Sequence, residues 1–473
     1  MNKRFFFTAA AAMVLMVAFL SCSKDNDNED NKNEQVPVIT ISTQPTASTD
    51  VMADNISGSL TVAASVTEGA TLTYLWHNNT SNSNTGGTAI SGATAATFDI
   101  PATLTPGTYY YFCEVGATGA SSVRSNVATV VVDPPADPGT AKNPFIIKTP
   151  AELDAMRDNL SAYYKLGNDI DLTAYLASGA GFAKWGASGW EPVGNSSDKF
   201  TGGLDGASCK ITGLWMDRTT GYDFGLFGYI DKAIIKNLGI EIAAAGIKCT
   251  GQVGGLVGWA DYGKIDNCYV TGDVSGYNSV GGLVGYGWGS TDKCIITNCY
   301  TTGNISGTDK YVGGVAGHFV GSMSNCYSTG NVTGADDNVG GVVGAFGNDN
   351  MTNCYATGTV SGRDNVGGVV GNFGGNRMSN CVALNPGVTA NAEIIRFGCG
   401  RVAATGGPFT NNWARADMVI MASGLDQTSG KAHDGADCAA TPAASWWTAA
   451  APNGPGWSDT GWTFADGQLP KLK

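Results

Sequence analysis

The chain of 473 residues carries 40 acidic and 27 basic side chains, a formal charge of -13, yet only 14% of its residues are charged and 67 are glycine. Such an acidic surface argues against nucleic acid as a partner. Beyond the first 22 residues no run is apolar enough to span a membrane, and with no Cys-x-x-Cys pair among twelve cysteines a zinc site has little support.

Residues 1–22 hold Lys3 and Arg4, the apolar run from Phe5 to Leu20, and then Ser21-Cys22, the layout of a secretory signal. Losing Lys3 and Arg4 with it moves the charge from -13 to -15. Phe19-Leu20-Ser21-Cys22 resembles a bacterial lipobox, with Phe19 standing where Leu is usual. The resemblance implies that Cys22 becomes a lipidated first residue, anchored in outer-membrane lipid. Residues 23–35 form an acidic tether whose composition predicts disorder. Its start, Ser23 to Asp30, resembles the export tag that places lipoproteins of some anaerobic Gram-negative bacteria on the cell surface.

Residues 36–133 alternate like strands, with Leu60, Val62, Ala64 and Val66 in one run, Tyr74 and Trp76 in a second, and Tyr109 to Cys113 in a late one. A Trp followed by Tyr-x-Cys resembles an immunoglobulin-like β-sandwich, which implies Trp76 in the core and Tyr111 making the corner contact. The partner cysteine is missing around Val62 to Ala64, so Cys113 is read as a buried thiol in a spacer or weak binding module. A stiff proline-rich linker occupies 134–148. Thr149-Pro150-Ala151-Glu152 then opens a capping helix over 149–165, with Leu153, Met156 and Leu160 on one face. A helix ahead of a repeat array would cover its first edge.

The β-helix is placed at 166–402. Early coils are irregular, and Phe224 to Gly228 and Ile235 to Leu238 are degenerate copies of two phrases that recur further along the chain. From Val253 to Gly258 the phrase Val-Gly-Gly-Leu-Val-Gly begins a repeat, returning at Val280, Val312, Val339 and Val366 with spacings of 27, 32, 27 and 27 residues. Asn-Cys pairs come after each copy, at Asn267-Cys268, Asn298-Cys299, Asn325-Cys326, Asn353-Cys354 and Asn380-Cys381. Three short runs per unit, punctuated by Gly, Asn, Asp and Ser, cannot bury an apolar face alone. Stacked copies can, and the predicted fold is all-β, a right-handed parallel β-helix (solenoid) of eight or nine coils.

Stacking turns each repeated residue into a ladder. The asparagines should form an amide ladder at a corner. Ile265, Ile296, Met323, Met351 and Met378 should fill the interior, as should Val274, Ile305, Val332 and Val360. Either Cys or Tyr of the Asn-Cys-Tyr phrase could face in; Cys is favoured, as a buried free thiol rather than a disulfide. Glycines should serve corners that need positive φ or close backbone approach. The phrases resemble the GLUG motif over about residues 140 to 473. That resemblance implies a β-solenoid of bacterial surface and secreted proteins, including noncatalytic parts of adhesins and of large surface peptidases. The Trp-rich cap, 403–473, is expected to close the far end.

Chemistry is sparse. No HExxH or GxSxG motif occurs, nothing implies a cofactor, and His77, His318 and His433 do not suggest one site. His318 reads as an ordinary corner residue. Asp309, Asp336, Asp337 and Asp364 precede glycine motifs and would hold calcium if stacked, although Asp simply favours such turns. Trp259, Tyr286, Phe319, Phe346 and Phe373, with the column Tyr269, Tyr300, Tyr327 and Tyr355, suggest a ligand strip for sugar or peptide. The competing reading makes the three phenylalanines inward fillers. The expected function is a noncatalytic surface lipoprotein that adheres to glycan or extracellular protein. A polysaccharide lyase or glycoside hydrolase on the same scaffold is the alternative, by fold analogy alone.

Overall fold

A computed structural model describes residues 35–135, 137–289, 292–391, 399–422 and 435–473. The signal, nearly all of the tether, Cys22 and His433 lie outside the described residues. The chain divides after Pro135 into two compact units.

The first unit is sheet-rich. Ser48–Met52, Ala128–Asp133, Gly107–Ala117, Leu72–Asn79 and Thr88–Ala89 lie side by side in that order, and Val123–Arg124 pairs with Gly107–Ala117. Ile39–Thr43 pairs with Ala63–Val66, and Ser59–Thr61 with Thr97–Asp99. Leu60, Val62, Phe98, Trp76, Tyr111 and Cys113 share one buried cluster. Trp76 Nε1 donates to Ala95 O at 3.0 Å, which satisfies the one polar atom this ring brings inside. Cys113 is a free thiol, and burial pushes it up to about 11. Tyr111 does not make the expected corner contact. It is buried against Phe98, and the hydroxyl of Tyr109 bonds back to Thr105 O at 2.8 Å. Two residues nearer the strand start, Tyr109 is only half-buried and can reach the turn.

The second unit is a parallel β-solenoid with three walls, which among the described residues hold sixteen, sixteen and seven strands. One coil illustrates the course: Gln252–Gly254 on the first wall, Val257–Asp261 and Lys264–Asp266 on the second, Tyr269–Thr271 and Val274–Gly276 on the third. Register is kept residue for residue, as in Ile265, Ile296, Met323, Met351 and Met378, which pair in succession and are fully buried. Val274, Ile305, Val332 and Val360 do the same. Strands pair in parallel because each coil returns the chain one rung along, roughly 4.8 Å on.

Every asparagine of the Asn-Cys pairs sits in the left-handed region, with φ of 51° to 55°, and so do Asn237 and Asn411 in the flanking coils. Asparagine tolerates that conformation better than other side-chain-bearing residues because its short amide bonds locally. Asn325 donates to Asn298 at 3.0 Å, Asn353 to Asn325 at 3.1 Å, and Asn411 to Asn380 at 2.9 Å. The ladder bends at Asn298, whose amide goes to Asp266 at 2.9 Å. The cysteines point inward, free and buried, each thiol reaching the carbonyl two residues back, as Cys299 does to Thr297 at 3.0 Å.

The glycines of the Val-Gly-Gly motif have a different cause. Gly254, Gly281, Gly313, Gly340 and Gly367 are not left-handed. A Cβ on any of them would overlap the carbonyl oxygen three residues on, because the chain doubles tightly against the next rung.

Three boundaries move. The capping helix is short: Pro150–Asp154 with its complete capping box, then one 3-10 turn, Ala155–Asp158. The remainder of the expected 149–165 span is spent on a loop and on Tyr163–Leu166, where Tyr164 and Leu166 alternate inward as a rung. Phe145–Ile147, inside the expected linker, is itself the first rung, so the helix lies between two rungs instead of ahead of them. At the other end the rungs run past 402 through Trp413–Arg415 to Ala436–Cys438.

The tryptophan tail does not close the end. It lies along the flank of the third wall, over the tyrosine column, in a cluster with Tyr327, Tyr355, Val382, Leu384 and Trp413. Tyr355 donates to Pro470 O at 2.7 Å, and Trp457 Nε1 donates to Asn380 O at 2.8 Å. An outward aromatic row in register offers the tail more apolar surface than a single terminal rung would.

Candidate functional site

The position after each Val-Gly-Gly-Leu-Val-Gly phrase faces out from the second wall. Tyr229, Trp259, Tyr286 and His318 occupy it on four successive rungs. Tyr229 and Trp259 stack at 5.6 Å between ring centres and Trp259 and Tyr286 at 4.1 Å, while His318 is edge-on to Tyr286 at 4.7 Å and stacked on Tyr311. His318 is therefore a mid-strand member of a column, not a corner residue, and burial pulls its imidazole down to about 4. It is neutral at physiological pH.

Asp261 ends the strand that carries Trp259. It accepts from Trp259 Nε1 at 2.8 Å and from the Tyr229 hydroxyl at 2.6 Å, and Lys199 Nζ lies 3.6 Å away. The same ammonium is 3.7 Å from Asp231 and 4.5 Å above the Tyr229 ring. Burial and the Asp261 carboxylate push the Tyr229 hydroxyl above its ordinary range. Ring faces are thus occupied by one another, and the column presents edges, a carboxylate and a cation to solvent.

Beside the column lies a cleft of about 840 Å³, walled by the turn after the short helix, the loop from Glu191 to Thr201 and the loop from Arg218 to Phe224. Asp223 lines it. Burial, and then the negative charge of Asp261, push its carboxyl up to about 6. With its nitrogen turned toward Tyr222 O, the Gln252 amide donates to Asp223 at 3.1 Å.

The residues expected to bind sort into three groups. Phe319, Phe346 and Phe373 are one residue out of phase with Trp259 and Tyr286, so they belong to the buried side and fill the core. Tyr269, Tyr300, Tyr327 and Tyr355 do form an outward stack, with ring centres 5.1, 4.8 and 4.7 Å apart. The tail covers Tyr327 and Tyr355 and leaves Tyr269 and Tyr300 half-exposed. The calcium candidates are engaged otherwise: Arg363 bridges Asp336 at 2.6 Å and Asp337 at 2.9 Å, Asp309 accepts from Asn278 at 2.9 Å, and Asp364 accepts from the Asn365 N–H at 2.9 Å. A guanidinium takes the place an ion would need. Among the described residues no group of three or more His, Cys, Asp or Glu side chains is placed to hold a metal.

Tyr229, Asp261, Lys199 and Asp223 escaped the sequence reading. Tyr229 was within reach, since it follows Phe224 to Gly228 as Trp259 follows Val253 to Gly258. Lys199 and Asp223 sit in irregular coils with no repeat to align them.

Comparison with known proteins agrees with the repeat. The GLUG motif matches residues 250–275, 276–306, 309–333 and 337–361. A protein of Evansella cellulosilytica named as a Gly-rich membrane protein is 37% identical over 184 residues, covering 31% of this chain and 20% of its own. Halomucin of Haloquadratum walsbyi is 30% identical over 288 residues, covering 53% of this chain and 3% of its own. The chain thus spans a fifth or less of the length of these relatives. A crystal structure described as an immunoglobulin A1 protease from Bacteroides ovatus aligns with a TM-score of 0.48 and 19% identity, over 71% of this chain and 94% of that one. The second unit is a parallel β-solenoid built on GLUG motif repeats.

Proposed function

We propose that this chain is a noncatalytic cell-surface lipoprotein, anchored through Cys22, with an immunoglobulin-like spacer and a solenoid that binds an extracellular glycan. The observation that carries the reading is the outward column Tyr229, Trp259, Tyr286 and His318, with Asp261 and Lys199 held at its edge. Ring edges and fixed polar groups in line on a rigid wall suit a repeating polymer, since each rung offers a like contact at a like spacing. The names of the relatives, a Gly-rich membrane protein and halomucin, support a surface address. Proteinase treatment of intact cells should release the protein, and full protection would contradict the address. On a glycan and matrix-protein array the mature chain should bind glycans, and Trp259→Ala should weaken that binding; unchanged binding would remove the column from the site.

A second reading, glycoside hydrolysis, is favoured by Asp223, a cleft carboxyl held near 6 by burial and by its neighbour Asp261. A raised carboxyl is what a general acid needs. Release of reducing ends from polysaccharide by wild type and not by Asp223→Asn would establish it.

A further inference from the structure

The cleft beside the aromatic column has a charge arrangement that selects among ligands. Its three cations are already engaged. Arg157 is held by Asp154 at 2.7 Å, by Pro192 O at 2.6 Å and by Glu191 O. Arg218 is paired to Glu191 at 2.5 Å and bonded to the carbonyls of Trp190 and Gly189 at 2.9 and 3.0 Å. Lys199 lies between Asp231 and Asp261. Facing them, Asp158, Asp198 and Asp223 line the cleft with no cation partner among the described residues. At the rim, Tyr222 is 80% exposed and its ring stacks on no other among the described residues.

We propose that this cleft is the binding site for a neutral saccharide, with Tyr222 as the stacking surface and Asp198 and Asp223 as acceptors for sugar hydroxyls. It rests on the reading of the chain as a glycan-binding surface protein and adds a second site beside the column, with the class of glycan that site takes. Carboxylates without counter-ions accept strongly from hydroxyl pairs, and an open aromatic face meets the apolar C–H side of a pyranose. A polyuronate would bring its own carboxylates against Asp158 and Asp198 with no free cation to receive them, a like-charge meeting that disfavours binding. The volume, about 840 Å³, falls within the range of pockets that enclose small ligands.

The test is titration calorimetry of the mature chain with gluco-, manno-, xylo- and galacto-oligosaccharides, against oligogalacturonate and oligolysine. Saturable binding of at least one neutral sugar is expected. Tyr222→Ala and Asp198→Asn should each weaken it about tenfold or more, with circular dichroism unchanged. No neutral sugar binding, tightest binding of the uronate or of oligolysine, or wild-type affinity in Tyr222→Ala would each overturn the assignment. If array binding persists in Tyr222→Ala and fails in Trp259→Ala, the surface reading stands and the cleft is not its site.

Discussion

Each coil turns at an asparagine corner and at a glycine corner, and the two residues are there for different reasons. Asn267 and its equivalents hold the left-handed conformation while their amides tie one rung to the next. Gly313 and its equivalents keep ordinary φ and are small because the next strand leaves no room for a Cβ. The first corner is conformational and partly replaceable; the second is steric and is not.

The largest expected effect comes from the second corner. In Gly340→Ala the new Cβ would overlap Val343 O and lie 2.7 Å from Gly371 N. Both are backbone in the ladder and cannot give, so the loss should exceed about 4 kcal/mol, or folding should fail. Denaturant unfolding reads this, and a loss under about 1 kcal/mol would show that the strand can retreat.

The tail tests whether the asparagine corner also docks other parts of the chain. Asn411 donates to Gly454 O at 3.2 Å and Asn380 O receives Trp457 Nε1. Trp457→Ala should cost about 3–5 kcal/mol for the tail, as large aromatic truncations in a packed cluster do. Limited proteolysis should then cut within 444–473 and leave the solenoid resistant.

Asp223 gives a pH-dependent effect on the glycine side, next to Gly258. Unfolded, the carboxyl titrates near 3.8; folded, at about 6. Between these values the folded protein holds the extra proton, so stability falls as pH rises and the full loss, about 3 kcal/mol, is present above 6. Asp223→Asn should match wild type near pH 4, exceed it at pH 7, and show a flatter profile between. Parallel profiles would refute the raised carboxyl.

The smallest effect belongs to the asparagine corner. Asn325→Ala loses two amide bonds and keeps a β-carbon at φ 53° without the amide that makes this conformation tolerable, costing about 2 kcal/mol. Asn325→Gly keeps the turn and loses only the bonds, about 1 kcal/mol. Equal losses would mean that conformation contributes nothing there.

What could be read from the sequence was whatever repeats. Asn267 to Asn380, the methionine column and the inward cysteines emerge from register alone, since a period forces equivalent residues onto one line. Phase was harder. Phe319 looks like a successor to Trp259 and Tyr286, yet one residue of offset turns it from the outer side to the core. Unrepeated segments were the least readable. Phe145–Ile147 is three residues long after a proline-rich stretch, and nothing in the spacing of Trp447, Trp457 and Trp462 says which surface they cover. Lys199 and Asp223 come from irregular coils, so the cleft emerges only when those loops are folded together.

The most direct measurement of the stacked register uses outward positions on the third wall. Lys248, Ser275, Ser306, Thr333, Ser361, Thr389 and Met421 pair in succession. With Cys209 and Cys399 replaced by serine, nitroxide labels at Lys248 and Met421 should lie about 29 Å apart by electron-spin distance measurement, six steps of roughly 4.8 Å. Labels at Lys248 and Thr389 should lie about 24 Å apart, one step less. Distances that fail to grow with the number of rungs would contradict the solenoid on which the account depends.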